Sequence, residues 1–132
     1  EHRHLSRAEL EALHIHKTGA LIRACLRMAC AAASGLDETQ REALDRYGKC
    51  IGLAFQIQDD VLDVEGNSAT LGKTAGKDTA NGKSTYPAIL GLPAARARAE
   101  ELFAQARSAL DAFGAQAAPL LDFADFIRSR DR

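Results

Sequence analysis

Apolar residues recur along most of this chain at steps of three and four, the spacing of one face of an α-helix. The first run opens at Ser6, which forms a capping-box pattern with Glu9, and passes through Leu10, Leu13, Lys17, Leu21, Cys25 and Met28 to a break at Ser34-Gly35. A second opens with Asp37 and Gln40 and keeps Leu44, Tyr47, Ile51, Phe55, Gln58 and Leu62 on one face as far as Gly66. With no proline in the way, it predicts one helix roughly 40 Å long at ~1.5 Å per residue. Three shorter helices follow: a brief one at 87–90, one over 94–113 with Leu102, Phe103, Ala106 and Leu110 inward, and a last over 119–128. No strand-like alternation is present, so the expected class is all-α.

The periodicity fails over residues 65–83, which hold Gly66, Gly72, Gly76 and Gly82 among Ser, Thr, Asn, Asp and lysines. Such a stretch cannot form a buried element and predicts a long loop, mobile without a ligand, whose lysines argue for function. It follows directly on the most acidic point of the second helix.

Composition narrows the possibilities. The chain has 132 residues, 46% of them hydrophobic, enough for one domain or a piece of one. Its 17 basic and 18 acidic residues leave a net charge of −1, so nothing global attracts nucleic acid or an anionic membrane. No apolar run is long enough to cross a bilayer, and the expectation is a soluble, cytoplasmic protein. Because the chain opens on Glu1 and its one methionine is Met28, an upstream portion is expected to be missing. Cys25, Cys30 and Cys50 lack zinc-like spacing and read as buried free thiols. His2, His4, His14 and His16 lack an acidic partner at metal spacing and read as ordinary helix histidines.

The chemistry concentrates in Phe55-Gln56-Ile57-Gln58-Asp59-Asp60-Val61-Leu62-Asp63. On a helix Asp59 and Asp63 stand one turn apart on the same face, about 6 Å along the axis, with Asp60 beside them and Gln56 one turn earlier. Crowded carboxylates repel one another, and a hard divalent cation such as Mg²⁺, which also bridges to phosphate oxygens, relieves that repulsion. The spacing is not that of an EF-hand, and three aspartates by themselves also suit a solvated helix surface. The neighbouring cations and hydroxyls favour the metal: Lys17-Thr18-Gly19, Gly72-Lys73, and Gly82-Lys83-Ser84-Thr85-Tyr86-Pro87 each offer groups suited to phosphate oxygens.

Taken together, HKTGALIRA (16–24), GLAFQIQDDVLDVEG (52–66), TLGKTAGKD (70–78) and GKSTYPAILGL (82–92) resemble, in order and spacing, the second half of the trans-isoprenyl diphosphate synthases, their bacterial farnesyl branch in particular. The resemblance covers nearly the whole chain. It implies that residues 1–132 are the C-terminal half of a single all-α domain of the isoprenoid-synthase type, incomplete without its N-terminal half. It also implies a prenyltransferase that condenses isopentenyl diphosphate with an allylic diphosphate, dimethylallyl or geranyl, and works as a homodimer at full length.

The same resemblance implies roles. Asp59, Asp60 and Asp63 match the family's second aspartate-rich motif, which holds Mg²⁺, or Mn²⁺ in its place, against the allylic diphosphate. Lys17 and Lys73 match lysines on that diphosphate, and Lys83 one that approaches when the loop closes. Thr18 and Gln56 match polar groups lining the allylic pocket, Phe55 an aromatic near the homoallylic site, and Asp78 an acid that reaches the metal through water. Gln56 as a core amide and Phe55 as packing stay open. The basic tail over 128–132 matches one that folds over the homoallylic site, with a solvated charged end as the alternative. The first aspartate-rich motif is absent, so this chain alone is expected not to turn over. A non-catalytic subunit of a heteromeric synthase and a related terpene synthase are the competing readings; intact aspartates and Lys17 argue against the first, and the KTG and GKSTYP elements against the second.

Overall fold

The computed structural model describes residues 5–70 and 85–130, with side chains described through residue 66 in the first stretch. The described residues are helical and contain no strand. Ser6 caps α1 (Arg7–His14): the Glu9 backbone N–H donates to its hydroxyl, and its own N–H donates to the Glu9 carboxylate. The helix widens into a π turn at Ile15–Gly19 and resumes as α2 (Ala20–Ala32). The expected long first helix is therefore continuous in direction but carries a wide turn that the three-and-four spacing did not show. Gly35 ends it at φ 92°, a conformation open to glycine.

The Asp37–Gln40 start is also as expected, each side chain accepting from the other's backbone N–H at 2.8 and 3.0 Å. From it α3 runs over Glu38–Thr70, passing the predicted stop at Gly66. One glycine costs a helix only about 1 kcal/mol, and Glu65, one residue earlier, is tied by an ion pair to Arg96 of α5. The expected loop thus loses its first residues to α3; residues 71–84, and with them the predicted mobility, lie outside the described residues. Thr85 then caps α4 (Tyr86–Leu90), α5 spans Leu92–Ala109, a 3₁₀ stretch with a kink at Gly114 covers Asp111–Ala117, and α6 spans Ala118–Ser129.

The core lies between α3 and α5. Tyr47, Ile51, Ala54, Ile57 and Val61 of α3 meet Ala95, Ala99, Leu102, Phe103 and Ala106 of α5, and all are buried. The alanines let the two axes approach closely, and Leu110 is inward as expected. Tyr47, 1% exposed, donates its hydroxyl to the Leu120 carbonyl at 2.7 Å and so ties α6 to the same core.

The predicted face of the first helix is corrected. Leu10 is buried, but Leu13, Leu21 and Met28 are exposed, as is Cys25, while Cys30 is buried and Cys50 half-buried. The face against α3 is instead built from Gly19, Ile22, Arg23 and Leu26. The helix is apolar on two sides, and periodicity alone does not say which side α3 takes. No helix among the described residues is long and apolar enough to cross a membrane.

Candidate active site

The first helix runs antiparallel to α3, and its contacts give the register. Arg41 donates to the Cys30 carbonyl, Arg23 forms a two-pronged pair with Asp45, Gly48 lies under Leu26, Gly52 meets Gly19, and His14 reaches Asp60. The π turn carrying Lys17 and Thr18 is therefore level with the stretch of α3 that holds Phe55, Gln56 and Asp59. The closest approach is made by two glycines: a Cβ added to Gly52 would stand 2.9 Å from the Gly19 Cα, closer than side-chain carbons come. The glycine of Lys17-Thr18-Gly19 is in this way a packing device that brings the turn against α3. Lys17 itself is exposed and Thr18 half-buried.

Asp59, Asp60 and Asp63 share the helical patch as expected but are held differently. Asp59 accepts from the Arg130 guanidinium, which also lies 4.2 Å above the Phe55 ring and reaches the Phe55 carbonyl at 3.5 Å. Asp60 turns inward: its Oδ2 accepts the Tyr86 backbone N–H at 3.0 Å and lies 3.5 Å from His14 Nε2. Asp63 is exposed to solvent. Among the described residues no three acidic, histidine or cysteine side chains converge as a metal site. Lys73, Asp78 and Lys83 fall in residues 71–84, outside the described residues.

Behind Asp60 lies a second layer that sequence reasoning missed. The His14 ring stacks on Tyr86 with centroids 5.9 Å apart and planes 16° from parallel. The Tyr86 hydroxyl lies beside the Glu11 carboxylate without regular hydrogen-bond geometry, and Arg98 approaches Glu11 at 3.7 Å. Burial alone would raise the Glu11 carboxyl, but Tyr86, Arg7 and Arg98 outweigh it and hold that group below its usual value. Burial and the neighbouring Glu11 push the Tyr86 phenol up, so it stays neutral. The sequence signal for this layer is faint: Tyr86 sits in a string already noted, and His14 precedes Lys17 by one helical turn.

The comparisons bear on what such a site belongs to. Residues 1–117 match the family model described as polyprenyl synthetase. The chain belongs to that family. It is 46% identical over 135 residues to the farnesyl diphosphate synthase of Escherichia coli, covering 100% of this chain and 45% of that protein. It is also 46% identical over 125 residues to the chloroplastic geranylfarnesyl diphosphate synthase of Leucosceptrum canum, covering 94% and 34% respectively. Among solved structures, a geranyltransferase from Legionella pneumophila superposes with a TM-score of 0.77 at 30% identity, over 96% of this chain and 39% of that one. The all-α polyprenyl synthetase fold read from the sequence thus stands. The chain spans less than half the length of these relatives. Two of these relatives, equally identical to the chain, carry different product names.

Proposed function

We propose that this chain is the second half of a trans-prenyltransferase, which joins isopentenyl diphosphate to dimethylallyl or geranyl diphosphate and yields geranyl or farnesyl diphosphate. The observation that carries the reading is the register of the first helix on α3, which levels Lys17 and Thr18 with Phe55, Gln56 and the aspartate turn of a polyprenyl synthetase. The cytoplasmic setting and the homodimer belong to the same reading.

The residues fit a hard divalent cation. Asp59 already draws a positive group, the Arg130 guanidinium, and Asp63, one turn on, offers solvent-facing carboxylate oxygens of the kind Mg²⁺ prefers. Asp59, Asp60 and Asp63 would hold Mg²⁺, or Mn²⁺ in its place, with Asp78 reaching it through water. Magnesium bound there supplies positive charge to the diphosphate that departs from the allylic carbon. Lys17, Lys73 and Lys83 bind the same oxygens from the protein side, and these charges together favour ionisation to an allylic cation. Thr18 and Gln56 line the allylic pocket, and Phe55 walls the side from which the isopentenyl double bond attacks. The released diphosphate takes the final proton, so the reading requires no protein base.

The test is Mg²⁺-dependent incorporation of radiolabelled isopentenyl diphosphate by the full-length protein. Asp59→Asn and Asp63→Asn should each lower kcat about 10²–10³-fold, the scale for losing a group that stabilises developing charge. The 132-residue chain alone should be inactive and regain activity when mixed with the complementary half. Turnover by the chain alone, or by the full-length protein in EDTA, would overturn the reading.

A further inference from the structure

Two nitrogens converge on a single oxygen of Asp60 from two different helices. The Tyr86 backbone N–H, at the start of α4, donates to Oδ2 at 3.0 Å. His14 of α1 brings Nε2 to 3.5 Å from the same atom. Neither side chain is loose: 12% of His14 and 16% of Asp60 is exposed, and the imidazole is clamped flat against Tyr86, itself 0% exposed. His14 Nε2 is buried and has no hydrogen-bond partner of regular geometry, so Asp60 Oδ2 is the acceptor within its reach. Leaving a buried ring nitrogen without a partner is costly, and a small shift toward Oδ2 removes that cost. Among the described residues, the nitrogens that approach this carboxylate both do so at Oδ2, not Oδ1.

We infer that His14 is a positioning residue for Asp60: its Nε2–H and the Tyr86 backbone N–H together occupy Oδ2 and present Oδ1 as the oxygen offered to a divalent cation. A carboxylate free to rotate spreads its ligand oxygens over several orientations, whereas one pinned from behind keeps a single orientation when the cation arrives. Groups that orient a metal ligand in this way are typically worth about 10- to 100-fold in metal affinity. The clamp is anchored in turn, because Tyr86 lies against Glu11 and Glu11 against Arg98. His14 is then not a ligand, and it touches neither substrate nor reacting atoms. The inference rests on the reading of Asp59, Asp60 and Asp63 as a metal site.

The experiment measures Mn²⁺ binding to the full-length protein in the presence of inorganic pyrophosphate, from the loss of the free-ion electron paramagnetic resonance signal, beside a urea unfolding curve. His14→Phe keeps the stacked ring and removes the donor; it should weaken Mn²⁺ about 10-fold with the m-value unchanged. His14→Gln returns an amide N–H near the place of Nε2 and should bind within about 3-fold of the parent, whereas His14→Asn, too short to reach, should behave like the phenylalanine variant. The Asn and Gln pair carries the test even if the phenylalanine variant does not fold. Equal Mn²⁺ affinity for parent and His14→Phe, or for Asn and Gln, overturns the inference while leaving the metal site intact. If the parent binds Mn²⁺ no better than Asp59→Asn, the metal reading falls and the inference falls with it.

Discussion

Gly19 and Gly52 meet backbone to backbone, and a single methyl group on Gly52 would fall 2.9 Å from the Gly19 Cα. The obstacle is main chain and cannot swing aside. Gly52→Ala should therefore force the π turn away from α3 and destabilise the protein by about 1–3 kcal/mol, the usual cost of overpacking. Urea titration of the full-length protein checks it; a midpoint at or above the parent's would show that the two helices can part without cost.

On the proposed metal reading, Arg130 and a divalent cation would compete for Asp59. The pair is partly open, with 44% of the Asp59 side chain exposed, so its strength is that of a surface ion pair, about 0.2–1 kcal/mol. Arg130→Gln should accordingly tighten Mn²⁺ binding by a modest factor, about 2- to 5-fold. Removing residues 130–132 should in addition raise the KM for isopentenyl diphosphate, through loss of the basic group above Phe55. Unchanged metal affinity in Arg130→Gln would mean that the guanidinium does not stand in the cation's place.

Tyr47 sets an alkaline limit. Burial pushes its phenol up to about 12 from an unfolded value near 10. The folded state thus holds this proton more tightly than the unfolded chain, so the contribution to stability is complete below pH 10 and is lost as pH rises from 10 toward 12. Tyr86, also raised, adds in the same direction. Tyr47→Phe should lose about 1–2 kcal/mol at neutral pH, because the Leu120 carbonyl is left without its donor, and should show a shallower decline in stability above pH 10. Parallel alkaline unfolding curves for parent and variant would count against the assignment.

At the acid end the sign reverses. Glu11 is held below its usual value, so its contribution is present above the unfolded carboxyl value and disappears as pH falls through the folded one. Glu11→Gln should flatten the loss of stability below about pH 4.3, the unfolded glutamate value, as followed by circular dichroism. A variant with the parent's acid slope would show that Tyr86, Arg7 and Arg98 do not hold the charge.

The helices were legible wherever local chemistry decides them. Ser6 with Glu9 and Asp37 with Gln40 mark starts that any helix needs, and Gly35 marks a stop. The aspartate turn stood out because three acids at that spacing repel one another, which marks a patch without deciding what relieves it. What stayed hidden depends on partners distant in sequence. Nothing in the string around His14 shows that it lies under Asp60, 46 positions away, or that Arg130 sits on Asp59 from 71 positions downstream. The exposed Leu13, Leu21 and Met28 were misplaced for a similar reason, since a helix with two apolar sides satisfies the same periodicity with either one inward.

The wide turn at Ile15–Gly19 has one more consequence. A helix with a uniform pitch is a single ruler: once one mark is set against its neighbour, every other mark is set too. The extra residue lodged here divides the ruler into two segments of different phase. The segment after it is indexed by Gly19, Arg23 and Leu26 to the middle of α3, while the segment before it is free to be indexed by His14 and Glu11 to Asp60 and Tyr86. Deleting one residue of the turn before Gly19 would take up that slack and leave both segments on their present faces, whereas deleting one from the regular turns of α2 would swing everything before it by about 100°, carrying His14 off its carboxylate.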